Sequence, residues 1–549
     1  MKRILTAMVA VLALAGCVAI PDAGPVVEGQ VDTSEQSRNL VFIAQEPQPG
    51  ATQEEIVLGF LGAAISPDDD FSIAREYLAE GAAAQWDPDA RVIVRSPVPP
   101  VVSLTGETEA TAAVEALSEV GPHGALQLAQ GDRMLEFSLQ RVDGEWRISE
   151  APDGIVLSNY YFEQLFRAHP LHWLTPDGER SVPEVRWFER TSATIAERIV
   201  DALLGGPATW LSPAVSTFGA VEASLVGTPR VDGTTMTLTL DMEQVSQLGR
   251  GSLEPLAAQL VLSLWDVGVR EVRLQIEGLS GITASSASAA PVDEGHVDQR
   301  PVVLSGESLR SVGGDASAVE DVGETLAAIG ATSYTVGAAG GIAHTGTTAA
   351  WIEPGAEPVV VSTDAGLVPT VDDSGWVLLQ EQSARQRLLA WRDGERSELP
   401  LPPGSDRIAA MELSRDGARL AIVTTAGGTS AVWALAVVRD ADGRPVALGE
   451  PYAMPGVEGT ATDITWVSPT EVAVLAIDED QAQIVMLAIG GSAEQLPAPG
   501  TPVQTIVGGT EGTSTLRALG ADGALLSLSG RVWSPRQGLE PIRLIATQQ

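Results

Sequence analysis

Three stretches decide the fold of the C-terminal half: VPTVDDSGWVLLQE (368–381), AAMELSRDGARLAIVTT (409–425) and ATDITWVSPTEVAVLAI (461–477). Each reads as an apolar strand, a polar turn and a second apolar strand. Gly375 and Gly417 mark two of the turns and lie 42 residues apart. The next turn follows about 50 residues later, a spacing typical of strand repeats. Each unit is continued by a further strand: RLLAWRDG (387–394), VWALAVV (432–438) and QIVMLAIGG (483–491). Units of this length with four strands apiece predict a β-propeller over 301–545, with room for five or six blades. A hairpin-bearing β-sandwich is the competing reading.

Upstream, TASSASAAPVDEGHVDQR (283–300) is small and polar and predicts a linker. Before it, the span 186–282 alternates helices and strands. SATIAERIVDALLGGP (192–207) places Ile195, Ile199, Val200, Leu203 and Leu204 on one helical face and stops at Gly205, Gly206 and Pro207. VDGTTMTLTLD (231–241) alternates, with Met236, Leu238 and Leu240 on one side. A second amphipathic helix, LEPLAAQLVLSLWDV (253–267), leads into a second alternating strand, VREVRLQIEG (269–278). In order and spacing this set resembles the GerMN domain, which implies an extracytoplasmic assembly or binding module without a known catalytic set.

The span 39–165 opens on TQEEIVLGFLGAAI (52–65), where Ile56, Phe60, Leu61 and Ile65 keep helical spacing behind a Thr52 cap with Glu55 three residues on. In MLEFSLQRVDGEWRIS (134–149), Leu135, Phe137 and Leu139 alternate up to an Asp143-Gly144 hairpin turn. Helices followed by a hairpin-rich sheet predict an α+β domain of the NTF2-like cone type. The whole chain therefore reads as multidomain, α+β and all-β.

At the N-terminus, Lys2 and Arg3 precede an apolar run from Ile4 to Ala15. A basic start, a short apolar stretch and small residues predict a secretory signal peptide over 1–16. The run is short of the roughly 20 residues a membrane span needs. Leu14, Ala15, Gly16 and Cys17 resemble the lipobox of bacterial lipoproteins, and Cys17 is the only cysteine of the 549 residues. The Cys17 thiol can accept a diacylglyceryl group, with fatty acyl chains such as palmitate, and cleavage before Cys17 would then leave a lipidated new N-terminus. At about 0.8 kcal/mol per buried methylene, several acyl chains make a durable anchor where one does not. Residues 17–38 mix Pro, Gly and polar side chains and predict a tether with a random-coil span of ~25 Å.

Composition narrows the function. The formal net charge is −39, and loss of Lys2 and Arg3 with the leader gives −41 (−39 − 2). Such a chain is repelled by nucleic-acid phosphates and anionic lipid heads. Lys2 is the only lysine, which excludes a P-loop lysine, a Schiff-base lysine and a Ser-x-x-Lys centre. Neither Gly-x-Ser-x-Gly nor His-Glu-x-x-His occurs. The five histidines are His123, His169, His172, His296 and His344. Only His169 and His172 in HPLHW are close, and Pro170 between them favours a structural pair on an extended segment. Asp68, Asp69 and Asp70 read as the acidic opening of a helix. Asp440 and Asp442 read as a turn with Gly443 at positive φ. The expectation is no catalytic residue, no metal and no cofactor.

The order of lipobox, helix-led α+β domain, GerMN-like domain and propeller resembles the LpqB lipoprotein family of actinobacteria across the length of the chain, and the missing lysines suit a GC-rich genome. The resemblance implies a protein lipid-anchored on the extracytoplasmic face of the cell membrane. It further implies an accessory, non-enzymatic role in the MtrAB two-component system, through binding the extracytoplasmic domain of the sensor kinase MtrB. Cys17, as the lipidation site, is the one functional residue the resemblance carries over. The competing class is a cell-envelope saccharide or peptidoglycan binder, or a propeller hydrolase, with cell-wall contact.

Overall fold

The structure, a computed structural model, describes residues 44–549 apart from 130, 191–193, 218–222, 243–252, 279–282, 289–291, 314–319, 403–407 and 427–428. The expected signal peptide, Cys17 and the tether lie outside the described residues. What is described is mostly β-structure with a few short helices.

The first helix, Gln53–Ala63, starts on a capping box: the Thr52 hydroxyl accepts from the Glu55 amide at 3.3 Å, and the Thr52 amide donates to the Glu55 carboxylate at 2.7 Å. Its buried face, Ile56, Val57, Phe60 and Leu61, packs with Leu135, Phe137 and Leu139 of the strand Arg133–Val142. That strand turns at Asp143 and Gly144, both at positive φ, into Glu145–Glu150. Two four-stranded sheets and three helices complete this domain. The Asp68–Asp70 expectation needs correction in detail. A helix does run over Asp68–Glu76, but its cap is Pro67 with no side-chain hydrogen bond, and Asp69, Asp70 and Phe71 adopt left-handed φ. Asp70 pairs instead with Arg75 at 2.7 Å.

In the middle domain, Thr235–Met242 runs parallel to Glu271–Ile276, with Met236↔Val272, Leu238↔Leu274 and Leu240↔Ile276 in register. These pairs are buried against the helices Ile195–Leu204 and Leu253–Ser263. The first of these helices ends at Gly205, and Gly206 takes φ 89°. The stretch expected as a linker opens with a strand, Thr283–Ser285, paired to Arg273–Gln275, because Ala284 is small and apolar enough to enter the same core.

Between the first two domains lies one antiparallel hairpin, Phe166–Leu174 with Ser181–Glu189. His169 and His172 sit on its first strand, the extended setting expected of them.

Among the described residues, the C-terminal half forms six blades. Five have at least four strands, beginning at Ser333–Val336, Thr370–Val371, Ile408–Leu413, Thr460–Ser468 and Val503–Val507. The third carries an extra strand, Tyr452–Ala453. The sixth is built from both ends of the domain: Leu544–Gln548 pairs with Val302–Ser305, which pairs with Ser308–Ser311. This closure joins residues more than 230 positions apart and fixes the ring. The Asp440 carboxylate accepts from the amides of Asp442 and Arg444, with Gly443 at φ 77°, the turn expected there.

Candidate functional site

The first strands of the six blades surround a central channel enclosing about 620 Å³ including its open mouth. Small and hydroxylated residues dominate because six strands converge here and leave little room for bulk. Thr335, Thr370, Thr505 and Thr547 come from four different blades. Among the described lining residues there is no basic side chain and no aromatic ring, but there are two carboxylates, Glu412 and Asp463.

Both carboxylates bind the next blade. Glu412 Oε1 accepts from the Trp466 amide at 3.1 Å and the Thr465 hydroxyl at 3.3 Å. Asp463 Oδ2 accepts from the Thr505 hydroxyl at 2.5 Å and the Ile506 amide at 2.9 Å. The Leu413 amide donates to Thr370 at 3.1 Å, extending the pattern backwards by one blade. Removal from water dominates their acidity. It pushes Glu412 up to about 7, against the attraction of Arg415, and Asp463 up to about 6, against its hydrogen bonds.

The turn after the third blade's first strand is where the propeller meets the hairpin. Arg419, 1% exposed, pairs with Asp416, donates to the Pro183 carbonyl of the hairpin at 3.0 Å, and lies 4.9 Å over the Trp466 ring. Arg415 donates to the Trp466 and Gly508 carbonyls. From the hairpin side, Arg180 donates to the Arg415 carbonyl at 3.1 Å and pairs with Asp373 at 3.2 Å.

The same hairpin holds the other domains. Arg186 pairs with Glu184 at 3.0 Å, both buried, and donates to the His123 carbonyl of the first domain and the Gly206 carbonyl of the middle one. Glu184 also accepts from Trp173 Nε1 at 2.9 Å. Trp187 donates to the Gly490 carbonyl of the propeller, and the Tyr452 hydroxyl to the Leu126 carbonyl of the first domain, both at 2.6 Å. Ring nitrogen Nδ1 of His172 lies 2.7 Å from the Ser181 hydroxyl, and burial, with Arg419 adding to it against Asp266, pushes this histidine down to about 4. His169 is buried on the same strand, His344 lies 3.4 Å from the Ala365 carbonyl, and His296 is exposed. The structure therefore does not bring the histidines together, and no group of three or more His, Cys, Asp or Glu fit for a metal ion occurs among the described residues.

Sequence reasoning passed over Glu412 and Asp463. The one available signal was an acid inside an otherwise apolar strand, Met411-Glu412-Leu413, where an alternating pattern would place it in solvent.

The class of protein is thus a multidomain β-rich protein whose six-bladed propeller is joined by a wedge-like hairpin to a GerMN-type domain and a helix-led α+β domain. Family models match in the same order: Lipoprotein LpqB N-terminal domain over 46–163, sporulation and spore germination (Germane) over 170–280, and Lipoprotein LpqB beta-propeller domain over 299–543. The chain belongs to the LpqB lipoprotein family. A Lipoprotein LpqB from Streptomyces avermitilis is 27% identical over 96% of each chain, and one from Rhodococcus opacus is 22% identical over 98% of this chain and 96% of that one. One from Thermobifida fusca is 32% identical over 50% of this chain and 46% of its own. No helix among the described residues is long and apolar enough to cross a membrane.

Proposed function

We propose that this lipoprotein is held by lipid on Cys17 at the extracytoplasmic face of the cell membrane, and that it modulates the MtrAB system by binding the sensor kinase MtrB rather than by catalysis. The observation that carries the reading is the match of LpqB models at both ends of the chain, behind a leader that ends in Leu14-Ala15-Gly16-Cys17. The hairpin adds physical support. Its side chains reach all three domains, Arg186 the first and middle ones and Arg180 and Trp187 the propeller, an arrangement suited to holding a composite binding surface. In the same reading the first domain is an NTF2-like cone, supported by its helix-led order.

A tether of some twenty residues keeps the body near the membrane, where a membrane-embedded partner is met at high effective concentration. An acidic surface favours a partner with a basic face and makes association salt-sensitive. The deciding experiment is capture of the MtrB extracytoplasmic domain by the full-length chain in non-ionic detergent, set against sedimentation with purified peptidoglycan. Capture of the kinase domain supports the proposal. Binding to peptidoglycan alone transfers the function to the cell-envelope class.

A further inference from the structure

The first domain carries an exposed apolar ribbon that the kinase reading does not use. Residues 96–106, SPVPPVVSLTG, hold no charged side chain, in a chain whose net charge is −39. Pro97, Val98, Pro99, Val101 and Leu104 within this run are exposed, Val101 by 62%. The strand Val101–Leu104 is one edge of the four-stranded sheet it forms with Glu109–Val114, Arg133–Val142 and Glu145–Glu150. Register sets Val101 beside Ala113, and Ala113 beside Met134, which is also 62% exposed. Side chains alternate along a strand, so this row faces away from Val102, Ala112 and Leu135, the row that meets the core. A contiguous exposed apolar surface marks an interaction site.

Charge and chain length select the occupant. Pro97, Pro99 and Pro100 have no N–H, so the start of the ribbon cannot be extended by a strand of a second copy, and two such acidic chains repel each other. A basic partner needs carboxylates, which the ribbon does not offer. Its backbone is suited to an apolar phase: Arg95 already donates to the Ser96 and Val98 carbonyls at 2.9 and 3.0 Å. The chain from Cys17 to Ala44 runs 27 residues (44 − 17) and enters the body in this same domain, where Ala44 joins the core. Gln45 is held there by the Tyr77 hydroxyl at 2.8 Å, and Tyr77 accepts from Ile148 on the far edge of the sheet. The two edges lie three strand spacings, about 15 Å, apart. A coil of that length spans about 25–30 Å, so the ribbon is within reach of the membrane that receives the lipid.

We propose that this ribbon docks the first domain on the bilayer, with Val98, Val101, Leu104 and Met134 entering the headgroup boundary and setting which way the domain faces. The proposal rests on the lipid anchor and is independent of the kinase. The anchor confines the body near the bilayer, so a small apolar surface suffices where free protein would not bind. The ribbon's start lies beside a second sheet, where Arg95 pairs with Ser158, and exposed Tyr160 follows two residues on. Such a ring, apolar with a polar tip, suits the headgroup level. The next outward row, Ser103, Thr111 and Glu136, is polar and limits entry to that boundary.

The test uses the full-length lipidated chain in phosphatidylcholine vesicles whose acyl chains carry a nitroxide quencher. Lipid on Cys17 leaves no other thiol, so one introduced cysteine takes a fluorophore specifically. Val101→Cys reports on the ribbon, and Val532→Cys, equally exposed on the propeller, is the control. Vesicle flotation reads the anchor, and quenching reads the docking. The expected result is quenching about threefold stronger at position 101 than at 532, unchanged by salt, and lost when Val98→Glu and Met134→Glu are added. Should that combination fail to fold, Met134→Cys decides, because a label on this second strand should be quenched as strongly as one at position 101. Equal quenching at 101 and 532 in floated protein, quenching that survives both glutamates, or an unquenched label at 134 would overturn the proposal. So would shielding of position 101 that grows with the protein-to-lipid ratio, which indicates a second copy. A chain that does not float contradicts the anchor, and the docking falls with it.

Discussion

Replacing Arg419 by methionine is the sharpest probe of how the domains are held together. The side chain is 1% exposed, and the Asp416 side chain it pairs with is 6% exposed. Methionine keeps much of the stem volume but leaves Asp416 charged in the interior. Breaking a buried pair by removing one partner typically costs about 3–5 kcal/mol. The cation–π contact with the buried Trp466 ring adds about 2 kcal/mol. The loss of the bond to the Pro183 carbonyl should loosen the hairpin locally as well as destabilise the propeller. Urea unfolding followed by tryptophan fluorescence measures the first effect. Amide exchange over the hairpin strand Ser181–Glu189 measures the second. The double variant Arg419→Met, Asp416→Asn should recover part of the loss, since the stranded charge is gone. A cost below about 1 kcal/mol for the single variant, well under the usual price of a stranded buried charge, with unchanged exchange over the hairpin, would refute the reasoning.

Stability should fall as pH rises from the ordinary carboxylate range through about 7, because folded Glu412 holds its proton to about 7 while the unfolded chain releases it earlier. Glu412→Gln should flatten that slope in a series of melts; an identical slope would count against the burial argument. The His172 ring, pushed down to about 4, should stay neutral above pH 5 in an NMR titration. A midpoint near the ordinary histidine value would show that water reaches the hairpin core. Gly124 stands at φ 79° with its missing Cβ directed 2.8 Å from the Trp187 carbonyl oxygen, so Gly124→Ala should lower the melting temperature by several degrees. Cys17→Ser should leave an unacylated, unprocessed precursor, which intact-mass spectrometry of the membrane fraction distinguishes from the lipidated wild type.

Much of the fold was legible because its causes are local. The Thr52–Glu55 capping box, the Asp143-Gly144 turn and the alternation of Met236, Leu238 and Leu240 each depend on residues within a few positions of one another. Other features depend on partners far along the chain. The sixth blade exists because Val302–Leu304 meets Leu544–Ala546, and no window of sequence contains both. The hairpin was readable as extended chain at HPLHW. Its role as a wedge was not, since it rests on Arg186 reaching His123 and Gly206, and Arg419 reaching Pro183. The channel was the hardest to foresee. Glu412 and Asp463 look like solvent-facing acids in a strand, and only ring closure turns them inward.

The central claim, regulation by a membrane-held binding partner, is tested most directly by measuring MtrB signalling output in cells that express three forms at equal levels. These are the wild type, a secreted form without the lipid anchor, and the same body on the anchor of an unrelated lipoprotein. The account predicts poor regulation by the secreted form and restoration by the borrowed anchor; full regulation by the secreted form would contradict it.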